Sequence, residues 1–187
     1  GHMTKTRVFK TALLALAGCA IFVTTGLVIA TTIQAVDLPT LRDMSDVVVV
    51  GVVEGRQDGR RDFTTEVTLR VTESFKGQFR PGDAIPITVE RGNFGGVDRE
   101  AVGEARFDVG GRSLVFLQNL DGEWLTVALG YGKFDIHHGK NGRDVAVRSP
   151  EGVELAGGPG NTDATPVSLD SLRPVLNPQG NLAAGRR

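Results

Sequence analysis

Residues 46–54 read Asp-Val-Val-Val-Val-Gly-Val-Val-Glu. Six of these nine residues are valine, and nothing polar stands between Asp46 and Glu54. Branching at Cβ favours extended backbone over helix. A strand with one wet face alternates apolar and polar residues, and this one does not, so it belongs between two apolar layers. Gly51 interrupts the run and predicts a bulge or a sharp bend. A second segment, Ser-Leu-Val-Phe-Leu-Gln at 113–118, is also apolar on both faces.

The neighbouring segments read as strands of the ordinary kind. Residues 65–75 alternate, with Val67, Leu69 and Val71 on one side and Thr68, Arg70 and Thr72 on the other. Ile85, Ile87 and Val89 form the next alternating strand, and Pro86 predicts that it pairs on one side only or begins at an edge. Residues 123–129, 133–136 and 144–148 complete the set. Turn signals separate them: Lys76-Gly77, Pro81-Gly82-Asp83, Gly110-Gly111, Asp121-Gly122 and Asn141-Gly142. Residues 55–62 read as a polar loop. Residues 91–105, with Gly92, Gly95, Gly96 and Gly103, form the longest irregular stretch, and a loop of that length in a small domain is functional or mobile. Residues 157–165 read as a flexible linker. Ser168 predicts the start of a short helix through Leu172 that Pro174 ends or kinks. Six or seven short strands, two of them apolar on both faces, point to closure into a small barrel rather than an open sandwich.

Upstream, no charged residue occurs from Thr11 to Val36, behind Lys5, Arg7 and Lys10. This is an export or membrane-anchor segment, with the downstream domain extracytoplasmic. Three readings fit it. A signal peptide would be cut after Ala30 or Ala35. An uncleaved anchor needs about 20 residues to span, which the run exceeds. A lipoprotein would be modified at Cys19 in Leu16-Ala17-Gly18-Cys19. The organisation is therefore a tag remnant (1–3), a signal peptide or membrane anchor (4–36), a β-barrel domain (37–148), and a linker, short helix and flexible tail (149–187). All 22 acidic residues and 18 of the 21 Lys and Arg lie at or beyond Asp37, a net charge of −4. Such a domain is a poor partner for nucleic acid. Cys19 is the only cysteine, so the domain beyond it has no disulfide and no thiol chemistry.

A sequence of features carries a family resemblance. Leu38 and Leu41 precede Ser45-Asp46 and the valine run. A strand follows that ends in Glu73-Ser74-Phe75-Lys76-Gly77, then Pro81-Gly82-Asp83 and another β run. Phe107-Asp108-Val109-Gly110-Gly111-Arg112 leads into Leu114-Val115-Phe116-Leu117, and Gly130-Tyr131-Gly132-Lys133-Phe134 closes the series. This order resembles a bacterial exported family of uncharacterised proteins. It is also similar to the netrin-like modules typified by tissue inhibitors of metalloproteinases, over residues 38–134. The resemblance implies an all-β fold, a five- to seven-stranded OB-like barrel with a short C-terminal helix, preceded by an N-terminal hydrophobic helix. Those inhibitors place a disulfide-tied N-terminal cysteine amine on the protease metal. A domain without cysteine cannot do so, and that mechanism does not carry over.

Chemical motifs are sparse. There is no HExxH, paired CxxC, EF-hand or GxSxG. Gly92-Asn93-Phe94-Gly95-Gly96 lacks the GK[ST] of a phosphate loop. His137 and His138 are adjacent, and on a strand they point to opposite faces. Asp98, Glu100, Glu104 and Asp108 are the carboxylates a glycoside hydrolase would draw on. No cofactor and no metal is expected. Phe94 stands between glycines in the long loop, where an exposed aromatic is a natural partner contact. The reading is a non-catalytic binding module at or beyond the membrane. Phe94, Asp98, Arg99, Glu100 and Tyr131 would contact an envelope protein or a cell-wall glycan. An envelope hydrolase using the acidic loop and a purely structural domain are the alternatives.

Overall fold

Asp37 caps the first helix. In a computed structural model of the chain, which describes residues 37–139, 141–148 and 166–177, its carboxylate accepts a hydrogen bond from the Thr40 backbone N–H at 2.8 Å. Helix α1 (Leu38–Met44) follows, with Pro39 in its first turn. Seven residues are too few to display a helical period, so only the Asp-x-Pro-Thr start marks it in the sequence. The leader, including Cys19, lies outside the described residues. Among the described residues no helix is long and apolar enough to cross a membrane.

The rest is mostly β. In chain order come β1 (Val47–Asp58), β2 (Thr65–Lys76), β3 (Ala84–Val89), β4 (Arg91–Phe94), β5 (Val97–Glu100), β6 (Arg112–Leu120) and β7 (Glu123–Thr126). A 3₁₀ turn (Leu129–Gly132), β8 (Lys133–His138), β9 (Asp144–Val147), β10 (Val167–Ser168) and α2 (Leu169–Leu176) follow. Eight strands share one sheet in the order β1-β2-β3-β7-β6-β8-β9-β10, and β1 also pairs with β6. Five strands therefore form a hydrogen-bonded circuit, β1–β2–β3–β7–β6 and back to β1. Every junction in it is antiparallel except β3–β7, which is parallel and rests on the single pair Ile87↔Trp124. That one short contact suits Pro86, which cannot donate to a second neighbour. Strands β4 and β5 form a separate two-stranded ribbon.

Strands β1 and β6 each divide two cores. One face of β1 puts Val47, Val49 and Val53 inside the circuit with Val67, Leu69, Ile85, Ile87, Val115 and Leu117. The other face puts Val48 and Val50 with Leu114, Phe116, Phe134, Leu41 and Leu172. The second layer is built from α1, the 3₁₀ turn, β8, β9 and α2. This is why the valine run shows no alternation: both sides of it are dry. Beside Gly51 the β1–β2 register shifts, between Val50 and Gly51, and the absence of a side chain is required there. A Cβ on Gly51 would stand 2.6 Å from the Arg70 carbonyl oxygen and 2.6 Å from Leu69 Cγ.

Three expectations from the sequence are corrected. Residues 55–58 are strand, not loop: β1 continues to Asp58 opposite Thr65. Here β1 carries Gly55, Arg56, Gln57 and Asp58, with no apolar side chain, so it shows no alternation, although Val67 opposite Arg56 belongs to the core. The cross-strand Gln57–Glu66 hydrogen bond, 2.8 Å, is typical of it. Residues 91–100 are the β4–β5 ribbon, whose turn is Gly95-Gly96 with φ of 60° and 81°. Two successive left-handed residues make the tight turn that suits a two-residue hairpin. Helix α2 runs past Pro174 to Leu176. The proline removes one helical hydrogen bond, but Leu169, Leu172 and Leu176 are buried and Arg173 grips Glu73 with two nitrogens at 2.8 and 3.0 Å.

The glycines of β1 give a paired prediction. Gly51→Ala should destabilise the domain by about 1–3 kcal/mol through overpacking. Gly55, four residues on, has open space where its Cβ would sit, and Gly55→Ala should be neutral or stabilise by up to about 1 kcal/mol. Urea denaturation of both variants measures this, and equal effects would contradict the described packing.

Candidate functional site

Four of the five residues singled out in the sequence meet on the ribbon. Its register pairs Arg91↔Glu100, Gly92↔Arg99, Asn93↔Asp98 and Phe94↔Val97. Alternation then gives it two faces. One carries Arg91, Asn93, Asp98 and Glu100, and is tied by an Arg91–Glu100 ion pair and an Asn93–Asp98 hydrogen bond of 2.8 Å. The other carries Phe94, Val97 and Arg99. Phe94 is 53% exposed and Val97 54%. The Phe94 ring meets Phe63 edge-on at 5.7 Å, and the Arg99 guanidinium lies 4.4 Å from the Phe63 centroid. Phe63 sits at the tip of the β1–β2 hairpin, so that tip props up the ribbon. Phe94 is thus partly anchored and partly offered to solvent.

Tyr131 does not join this group. It is 1% exposed, a ring in the outer core that lies 3.7 Å beneath the Arg148 guanidinium. Its place in the 3₁₀ turn, among buried Gly130 and Gly132, turns it inward, and as a surface ligand contact it is corrected to a core residue.

Under the ribbon a cleft of about 570 Å³ opens along the β6–β8 side. Arg56, Arg91, Arg106, Arg112 and Lys133 line it, with Asp108 and Asp135 as the acidic lining residues. These cations come from β1, β4, the connection 101–111, β6 and β8, so only the fold assembles them. Lys133 is 7% exposed; its Nζ reaches Asp135 at 2.5 Å and stands 5.2 Å from the Phe107 centroid. Arg112 donates to Asp144 at 2.8 Å. Arg106 and Arg91 both contact Glu100, which joins the ribbon to the cleft wall. Sequence reading misses this cleft because no two of its cations are adjacent in the chain.

The acidic residues of 98–108 separate. Asp98, Glu100 and Asp108 are exposed, whereas Glu104 is 6% exposed. Glu104 accepts from the backbone N–H of Glu90 at 3.0 Å and of Ala105 at 2.9 Å, and so ties the connection that follows the ribbon to the residue that precedes it. Burial pushes its carboxyl above the ordinary glutamate value of 4.5. Arg91, with Arg106, holds Glu100 below that value. His138 Nδ1 lies 3.1 Å from Asp144, and among the described residues no group of three His, Cys, Asp or Glu is placed to hold a metal. Neither the family models nor the curated proteins searched match this chain.

Glu104 predicts a pH dependence. Its folded pKa is raised, so its contribution is full below pH 4.5 and is lost as the pH rises through the folded value. Glu100, with a lowered folded pKa, acts in the opposite sense, losing its contribution as the pH falls below 4.5. Glu104→Gln should therefore flatten the decline in unfolding free energy above pH 4.5. It should also cost about 1 kcal/mol, because an amide can accept only one of the two backbone bonds. Denaturation curves across pH measure both, and an unchanged slope would contradict the assignment.

Proposed function

We propose that the chain is a non-catalytic extracytoplasmic binding module of a bacterium, held at the membrane by residues 4–36 or released from it. Its ribbon contacts an envelope protein or a cell-wall glycan. The observation that carries this reading is the ribbon tip, where Phe94 and Val97 are both more than half exposed on a backbone locked by cross-strand pairs. Large apolar groups on a rigid support are the usual anchors of an interface, and an arginine beside them adds to it. Phe94 and Arg99 supply these, and Asp98 and Glu100 edge the opposite face.

Support for an OB-type, netrin-like barrel comes from the five-strand circuit and its one parallel junction. Support for tethering comes from polarity. Helix α1 leads into the start of β1, whereas Asp58 and Thr65, at the other end of the hairpin, adjoin Val89 and the ribbon. From Val47 to Arg56 a strand covers at most roughly 30 Å. A leader attached ahead of α1 would hold the ribbon away from the membrane surface, where a partner can reach it. The non-catalytic reading is favoured over an envelope hydrolase by the withdrawal of Glu104 into the interior and the capture of Glu100 between two arginines.

Photo-cross-linking on the full-length chain in the producing bacterium tests this. A photoreactive residue at position 94 should give a discrete adduct, and one at Met44, equally exposed at 53% but on α1, should not. Absence of an adduct at 94, or the same adduct from 44, would contradict the proposal. Hydrolysis of wall material that is abolished by alanine at Asp98, Glu100, Glu104 or His138, in variants that still fold, would replace it with the enzymatic reading.

A further inference from the structure

We infer that the cleft beneath the ribbon is a second binding site, selective for a multiply charged oxyanion such as a phosphate ester or a polycarboxylate. Five of the cations in a domain of net charge −4 converge there, against two acids among the described lining residues. Among the described residues, counting Glu100 and Asp144, which pair with the lining arginines from outside the cleft, the cations still outnumber the carboxylates. Arg56 is exposed and makes no ion pair among the described residues.

Several features suit an anion rather than a neutral ligand. Four of the five cations are arginines, whose planar fork matches a carboxylate or phosphate with two parallel hydrogen bonds. The fifth, Lys133, is more than nine-tenths buried and fixed between Asp135 and the Phe107 face, so a charge at the base of the cleft is already desolvated and positioned. Ala105, Gly111 and Gly130 also line it. At about 570 Å³ the space falls within the range of small-ligand sites. Incoming oxyanions would compete with Asp135, Glu100 and Asp144 for the cations, so binding should be moderate and sensitive to salt.

This site goes beyond the ribbon reading, and the two fail separately. The full-length chain is titrated calorimetrically at low ionic strength with pyrophosphate, with citrate, and with trehalose as a neutral control. Saturable binding of pyrophosphate, citrate or both is expected, with none of trehalose. Pyrophosphate alone would identify a phosphate ligand, and citrate alone a carboxylate one. Arg56→Glu should weaken binding roughly tenfold or more, with little change in melting temperature because the Arg56 side chain makes no hydrogen bond or ion pair among the described residues. Arg112→Gln should weaken it as well, and Phe94→Ala should leave it unchanged. The inference is overturned if neither anion binds, if Arg56→Glu leaves the affinity intact, if trehalose binds equally, or if Phe94→Ala abolishes binding.

Discussion

The pairing of β1 with β6 is the constraint on which the rest depends. Six consecutive residue pairs, from Val47↔Leu117 to Val52↔Arg112, join them. Both strands are apolar on both faces, so neither can lie at a wet surface. The fold answers with two layers. On one side the sheet curls until β7 meets β3 and encloses its own core. On the other, two helices and the β8–β9–β10 extension cover what would otherwise be an apolar exterior. At about 25 cal/mol per Å² of apolar surface removed from water, each buried valine or leucine contributes through its own layer, and the two layers share one backbone seam.

The same seam accounts for where the charged chemistry gathers. Interior positions of β1 and β6 are occupied by apolar side chains, so polar groups are confined to the strand ends and the connections. The far end of β1, the start of β6 and the connection 101–111 come together beyond the core. Val53 exchanges backbone hydrogen bonds with Gly110 and Gly111 at 2.8 and 2.9 Å, which draws that connection against the sheet. Arg56, Arg106 and Arg112 line the same cleft as a result. The ribbon is held to the same region by Glu104 and by Thr65, whose hydroxyl donates to the Arg91 carbonyl at 2.6 Å. Ribbon and cleft are thus consequences of one geometry.

Much of the fold is legible in the sequence, for reasons visible in particular residues. The valine run and 113–118 announce two dry faces; Val67, Leu69 and Val71 announce one. Asp121-Gly122 marks its hairpin, and both residues are left-handed, with φ of 52° and 88°. What is not legible lacks a hydrophobic period. The polar end of β1, the seven-residue α1 and the four-residue strands of the ribbon leave no such trace, although Gly95-Gly96 is a hairpin signal in retrospect. Of the site, Phe94, Asp98, Arg99 and Glu100 are found because they are neighbours in the chain. Tyr131 is misplaced because a tyrosine between glycines looks exposed when its turn is in fact packed inward. The cleft is invisible because its five cations are spread from residue 56 to residue 133.

Native-state hydrogen exchange tests the central role of the β1–β6 seam most directly. Amides of residues 47–52 and 113–117 that donate across the seam should be the slowest in the domain and should exchange together, through global unfolding, while the ribbon amides of 91–100 open at lower free energy. Seam amides that exchange as fast as the ribbon, or that open independently of one another, would contradict a fold organised around two cores on a shared pair of strands.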